Sequence, residues 1–264
     1  MEQKEILRKL QSVENTMLYD LSRLLKDNDI GFYLAYGTAI GCARHKGFIP
    51  WDDDVDIFIL GEDYPRLQKL FKEKDTGYLK LHDYSTVSNY PYVFPKIIDS
   101  RTVLREKAFD HIHYEGGVYI DVFPLINLPQ SKIRRSLFEK IRYFRYAAVK
   151  AAYVDASNYG RLKQIGISMC KTLFNPQKLQ EKLFRMYIRK DTESTLYIEP
   201  LVFNLYMEKK WFEKIVYMDF EGNSMPMPSM YDEFLTSYYG DYMTPPPVEE
   251  RVPVHTFSYL EFND

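Results

Sequence analysis

The chain has 264 residues, 45% of them hydrophobic, 16% aromatic and 27% charged, with a formal net charge of −2. That composition fills a core and excludes intrinsic disorder. No apolar run approaches the roughly 18 to 20 residues of a membrane span, no basic-then-apolar leader opens the sequence, and Cys42 and Cys170 lack metal or disulfide spacing, so a cytoplasmic protein with reduced thiols is expected.

In chain order, Ile6, Leu10, Val13, Met17, Leu21 and Leu24 recur at spacings of three and four, predicting an amphipathic helix that stops near Asn28 to Gly31. Phe32 to Ala35 reads as a short buried strand, Gly37-Thr38 as a turn with a capping threonine, and Ala39 to Arg44 as a short helix. Asp54 to Leu60 alternates Val55, Ile57 and Ile59 with Asp54 and Asp56, a strand with two carboxylates on one face. Tyr64 to Lys74 reads as a helix, and Tyr78 to His82, Tyr92 to Ile98 and Val118 to Phe123 as strands.

From Ser131 to Lys190 the composition changes to basic, aromatic helices, broken near Asn158 to Gly160 and at Asn175-Pro176, with Leu137, Ile141, Phe144 and Ala148 on one stripe. This segment holds 15 Lys/Arg against 3 Asp/Glu, a local +12 that leaves −14 elsewhere. Such a block suits an anionic partner, whereas the acidic remainder disfavours general nucleic-acid binding. The last seventy residues contain Trp211-Phe212, a turn at Glu221 to Asn223, a helix from Met230 to Tyr239 and Pro245 to Pro247. The expected division is a catalytic core over 1–130, a basic helical subdomain over 131–190 and a segment over 191–264 that completes the active site.

The chemistry concentrates between Tyr36 and Ile57. Residues i and i+2 of a strand share a face about 6 to 7 Å apart, so Asp54 and Asp56 can aim at one Mg²⁺ or Mn²⁺. A Gly37-Thr38 turn opening a helix offers a phosphate free N–H groups, a hydroxyl and a positive dipole end. An EF-hand starting at Asp52 is excluded, because Ile57 stands where its glycine belongs and Asp63 where its glutamate belongs. Asp121 is again an acid inside an apolar strand, and reads as a metal ligand or base rather than a structural ion pair.

The run from Tyr36 to Ile57, then Ile120 to Pro124, then Tyr239 to Met243 with Pro246, Pro247 and Arg251, resembles the LicD family of phosphotransferases, whose animal relatives are fukutin and the fukutin-related protein. The resemblance runs from the N-terminal helix to His255. It implies a nucleotidyltransferase-type mixed sheet flanked by helices, an α+β fold, to which the basic segment over 131–190, read from composition alone, adds a helical insertion or subdomain. It also implies transfer of a phospho-alcohol (phosphocholine, glycerol phosphate or ribitol phosphate) from a CDP-activated donor to a glycan hydroxyl, releasing CMP, in decoration of lipopolysaccharide, capsule or teichoic acid.

Carried over by position, Asp54, Asp56 and Asp121 are the catalytic acids and metal ligands, Gly37 and Thr38 hold phosphate, and Asp52 is a further ligand or orients one. Arg44, Lys46 and Lys96 are candidate diphosphate clamps. Arg251 and His255 belong to the family-like C-terminal motif and are candidates to face substrate, while His45 and Trp51 carry weaker signals. Expected partners are the CDP-alcohol, a glycan acceptor that can be lipid-linked, and the inner face of a membrane through 131–190, with no nucleic acid. The competing reading keeps the fold but moves AMP or CMP itself onto a small molecule, protein or RNA.

Overall fold

A computed structural model describes residues 3–191 and 193–262. The amphipathic helix α1 (Gln3–Lys26) buries Leu10, Met17, Leu18, Leu21 and Leu25 and ends in a turn at Asp29, whose φ is +53°. There follow β1 (Phe32–Leu34), α2 (Tyr36–His45), β2 (Val55–Leu60), α3 (Tyr64–Glu73), β3 (Leu79–His82), β4 (Lys96–Asp99), β5 (Thr102–Glu106) and β6 (Tyr119–Asn127). Three helices come next, α4 (Lys132–Tyr153), α5 (Arg161–Leu173) and α6 (Pro176–Tyr187). The chain closes with β7 (Leu196–Ile198), β8 (Met207–Glu208), β9 (Ile215–Phe220), β10 (Asn223–Pro228), α7 (Tyr231–Tyr239) and β11 (Phe257–Phe262).

The main sheet is mixed and runs β1-β2-β6-β4-β3, with β7 paired to the end of β6 and β8 to β7. β2 and β6 lie parallel and every other pairing is antiparallel. All nine residues of β6 and the first five of β2 are buried, which is why both read as near-continuous apolar runs. Smaller two-stranded sheets join β9 to β10 through the Glu221-Gly222 turn, and β5 to β11. The architecture is α+β, and one continuous core draws side chains from α1, the main sheet, α4, α6 and α7.

The structure departs from sequence expectation in four places. Gly37-Thr38 is not a capped turn: α2 begins at Tyr36, Ala35 is its N-cap without a side-chain bond, and the Thr38 hydroxyl accepts the Asp56 N–H at 2.9 Å. The expected strand from Tyr92 shortens to Lys96–Asp99, with the Pro95 carbonyl still accepting the Val122 N–H at 3.0 Å. β5, β7, β8 and β11 had no clear signal, being short or half-exposed. In α4, Leu137, Ile141 and Phe144 face solvent; only Ala148 of that stripe is buried.

What α4 turns inward instead is Glu139, Arg142, Ala148, Val149 and Tyr153. Arg142 is fully buried, its Nη1 donating to the carbonyls of Glu199 and Pro200 at 3.0 Å each and its Nη2 to that of Val202 at 2.6 Å. Its guanidinium also lies 4.0 Å from the Phe203 ring. This side chain ties the helical segment to the loop after β7, since three carbonyls would otherwise be buried unpaired. Replacing Arg142 by Leu is therefore expected to lower unfolding free energy by about 3 kcal/mol or more. Urea denaturation checks this, and an unchanged midpoint would contradict it.

Candidate active site

Register brings the acids together. Asp56 of β2 pairs with Asp121 of β6, and Asp121 pairs in turn with Lys96 of β4, so three charged residues form one row across neighbouring strands. All three are buried. Lys96 Nζ lies 2.8 Å from Asp121 Oδ1 and 3.5 Å from Glu106 Oε1, and rests over the Tyr119 and Tyr92 rings at 3.2 and 4.2 Å. It is thus a buried counter-ion of the acidic row rather than a free clamp. Glu106, which Tyr92 also hydrogen-bonds at 2.6 Å, was not foreseen.

The acidic run before β2 divides its labour. Asp53 is buried and accepts three bonds from the C-terminal segment: Val254 N–H at 3.2 Å, His255 N–H at 2.9 Å and His255 Nδ1 at 3.1 Å. Asp54 Oδ2 lies 3.8 Å from the same imidazole nitrogen. Among the described residues, the His and carboxylate ligand atoms that all lie within 4.8 Å of one another belong to Asp53, Asp54 and His255. The trio expected from sequence, Asp54, Asp56 and Asp121, is not gathered that tightly, and Asp121 sits against Lys96.

Asp52 approaches the start of α2. A Cβ on Gly37 would meet Asp52 Oδ2 at 2.7 Å, so a larger residue there would push the Asp52 carboxylate aside. The N-terminal N–H groups of α2 face the same region without a capping side chain. The strand-to-helix corner itself is strained: Tyr36 has φ of +42°, and its ring is wedged 5.1 Å from both Phe58 and Phe123.

Glu14 is a further missed acid. It occupies the apolar stripe of α1, buried, with Oε2 lacking a hydrogen-bond partner and the charges of Asp54, Asp52, Asp53 and Asp121 around it. One turn earlier, Gln11 Nε2 holds the Asp52 carbonyl at 2.8 Å. A glutamate inside an otherwise apolar stripe was its signal. Asp53 had a comparable one, sharing strand parity with the core residues Val55 and Ile57.

Burial, then mutual repulsion, raises the carboxyls of Glu14, Asp52 and Asp56, with Asp52 pushed up to about 8. Burial raises Asp54 too, against the opposing charge of His255. Burial lifts Asp121 to about 6, and the Lys96 charge and hydrogen bond restrain it. For His255, burial pulls the imidazole down but the Asp53 hydrogen bond and the charges of Asp54 and Asp53 outweigh it, holding it at about 9. The set is oxygen-rich, two of its buried oxygens (Glu14 Oε2 and Asp52 Oδ2) are unpartnered, and its members resist ionising together. Those are the properties of a hard divalent-cation site.

The basic candidates separate. Arg44, whose guanidinium is lowered by burial and by the charge of Arg251, donates to the Tyr242 carbonyl at 2.5 Å and is attracted by Asp52. Arg251 donates to the Pro246 carbonyl at 2.8 Å and lies 5.4 Å from the Trp51 ring. Two guanidiniums that feel each other beside the acids suit a bound anion. Lys46 is exposed at the left-handed C-cap of α2, at the end of that helix away from Gly37. His45, also exposed, meets Arg44 Nε at 2.9 Å.

Two outcomes follow. In chelator, Asp52 binds its proton more tightly folded than unfolded, so its stabilisation is full below about pH 4 and fades as pH rises toward its folded value. His255 acts in the same direction, its contribution full below about pH 6.5 and lost as pH rises through its folded value. The melting temperature is expected to fall between about pH 5 and pH 8, and Asp52→Asn to flatten the fall. Differential scanning calorimetry decides, and a flat wild-type profile would contradict the charge assignment. Separately, Asp53→Ala should free residues 251–256 and speed tryptic cleavage after Arg251 about tenfold or more; equal cleavage rates would contradict the clamp.

The family profile "LicD/FKTN/FKRP, nucleotidyltransferase domain" matches residues 29–148, which hold β1, α2, β2 and β6. The lipopolysaccharide cholinephosphotransferase LicD of Haemophilus influenzae is 31% identical over 262 residues, covering 96% of this chain and 97% of that protein. An uncharacterized protein of Rickettsia prowazekii is 31% identical over 39% of this chain and 42% of its own length, and one of Rickettsia typhi is 38% identical over 38% and 31%. With nearly end-to-end similarity to one member and the acidic row at the heart of the matched region, this chain belongs to the LicD family.

Proposed function

We propose that this protein transfers phosphocholine from CDP-choline to a hydroxyl of a lipopolysaccharide-type glycan, releasing CMP. The observation that carries the reading is the nearly full-length similarity to a lipopolysaccharide cholinephosphotransferase, combined with an acidic row in register on β2 and β6. The core of β1, α2, β2 and β6 is read here as nucleotidyltransferase-type.

Asp54, Asp56 and Asp121 are the proposed holders of a Mg²⁺ or Mn²⁺, with Glu14 and Asp52 close enough to feel their charge. That ion, when bound, would neutralise charge developing on the diphosphate. The uncapped N–H groups at the start of α2 and the Arg44 and Arg251 guanidiniums bind the donor phosphates. Thr38 spends an acceptor lone pair on β2 and keeps its proton to donate. The acceptor hydroxyl attacks the phosphorus bearing choline, the bond to CMP breaks, and a carboxylate takes the proton, with Asp121 the candidate. Lys96 beside Asp121 keeps that carboxylate from drifting to a fully protonated state.

Purified protein with Mg²⁺, CDP-choline and a lipopolysaccharide acceptor should release CMP and label the glycan. Asp56→Asn and Asp121→Asn should each cut the rate on the order of a hundred- to a thousandfold while preserving the circular dichroism spectrum. Release of pyrophosphate from ATP or CTP, with the nucleotide retained on an acceptor, would replace this reading by nucleotidyl transfer. CMP release from CDP-glycerol or CDP-ribitol but not CDP-choline would keep the reaction and change its donor.

A further inference from the structure

We propose that the outer face of α4 and α5 docks on an anionic lipid bilayer, a role that goes beyond the reaction above and does not depend on it. In α5 no residue is buried. Leu162, Ile165, Met169 and Leu173 recur at spacings of three and four, share one helix face, and all are exposed, Leu162 by 87%. In α4 the same is true of Ile133, Leu137, Ile141 and Phe144, with Ile133 84% exposed. The core contacts of α4 come from other positions, Arg142, Ala148, Val149 and Tyr153 among them. Phe144 also lines a groove of about 710 Å³ between the two helices, so the α4 stripe continues into the space between them.

Exposed apolar stripes on two adjoining helices are the kind of surface that marks an interaction site. Charge selects the occupant. Lys132, Arg134 and Lys140 on α4 and Arg161 and Lys163 on α5 are exposed, and neither helix exposes an acidic side chain, the single acid, Glu139, being buried. A second copy meeting this face through the same face would set cation against cation. A nucleic-acid backbone would satisfy the cations and leave the aliphatic stripes without a partner. An anionic bilayer satisfies both, with ammonium and guanidinium groups among the headgroups and the aliphatic stripes at the acyl boundary. Among the described residues no helix is long and apolar enough to cross a membrane, so the contact is interfacial.

The test is co-sedimentation of the full-length protein at low salt with vesicles containing phosphatidylglycerol, against vesicles of phosphatidylcholine alone. Binding to the anionic vesicles is expected to be about tenfold stronger or more. Ile165→Ser/Met169→Ser and Arg161→Gln/Lys163→Gln should each weaken it severalfold while leaving the melting temperature unchanged, since all four side chains are exposed. No binding, or binding that both double variants retain, overturns the proposal. So does sedimentation velocity showing a dimer that Ile165→Ser/Met169→Ser dissolves, which would assign the stripes to a second copy. Equal affinity for a DNA duplex, abolished by Arg161→Gln/Lys163→Gln, would assign the basic residues to nucleic acid instead.

Discussion

The parallel, in-register pairing of β2 with β6 puts the Asp56 carboxylate beside that of Asp121, and the surrounding structure accommodates that juxtaposition. Like charges this close in a low-dielectric interior repel strongly, and burial alone disfavours either being ionised. The fold answers with Lys96, set on the next strand against Asp121 and cushioned on the Tyr92 and Tyr119 rings. It answers again with His255, brought from 202 positions away onto Asp53 and beside Asp54. Those two cations fall short of the acids, because Glu14 and Asp52 each leave a buried oxygen without a partner.

An excess of buried negative charge is costly to a resting protein and useful to one that recruits a cation. The carboxylates proposed to hold a metal form an all-oxygen set, which would favour a hard ion that keeps positions open for phosphate oxygens. The basic groups are placed differently. Arg44, in the last turn of α2, feels the charges of both Asp52 and Arg251, while its neighbours His45 and Lys46 are exposed. Strain at Tyr36 belongs to the same economy of space: turning sharply from strand to helix is what points α2's free amides at the acids.

How much of this was legible in sequence follows from the range of each interaction. Asp56 and Asp121 could be singled out because an acid inside an apolar run needs a reason, whereas Asp54 lies just before β2 rather than two residues along it. Lys96 was visible only as a basic residue; its contact with Asp121 depends on cross-strand register, which no local pattern encodes. Glu14 reaches the acids through helix packing from about forty residues upstream. The α4 stripe was identified correctly as a stripe, but periodicity says which residues share a face and not which face turns inward. There the buried Arg142 and its three carbonyls decided the orientation.

The C-terminal strand gives the centre its completion. β11 pairs with β5, and the residues just before it reach Asp53, 202 positions away; Arg44 likewise waits for the carbonyl of Tyr242, 198 positions away. During synthesis the motif around Asp52 to Asp56 therefore emerges long before its partners exist. The growing chain carries crowded carboxylates without the His255 imidazole until residue 255 has emerged. Closing so long a loop is slow relative to local folding. The order of translation thus withholds these contacts from any nascent chain that stops short of residue 255.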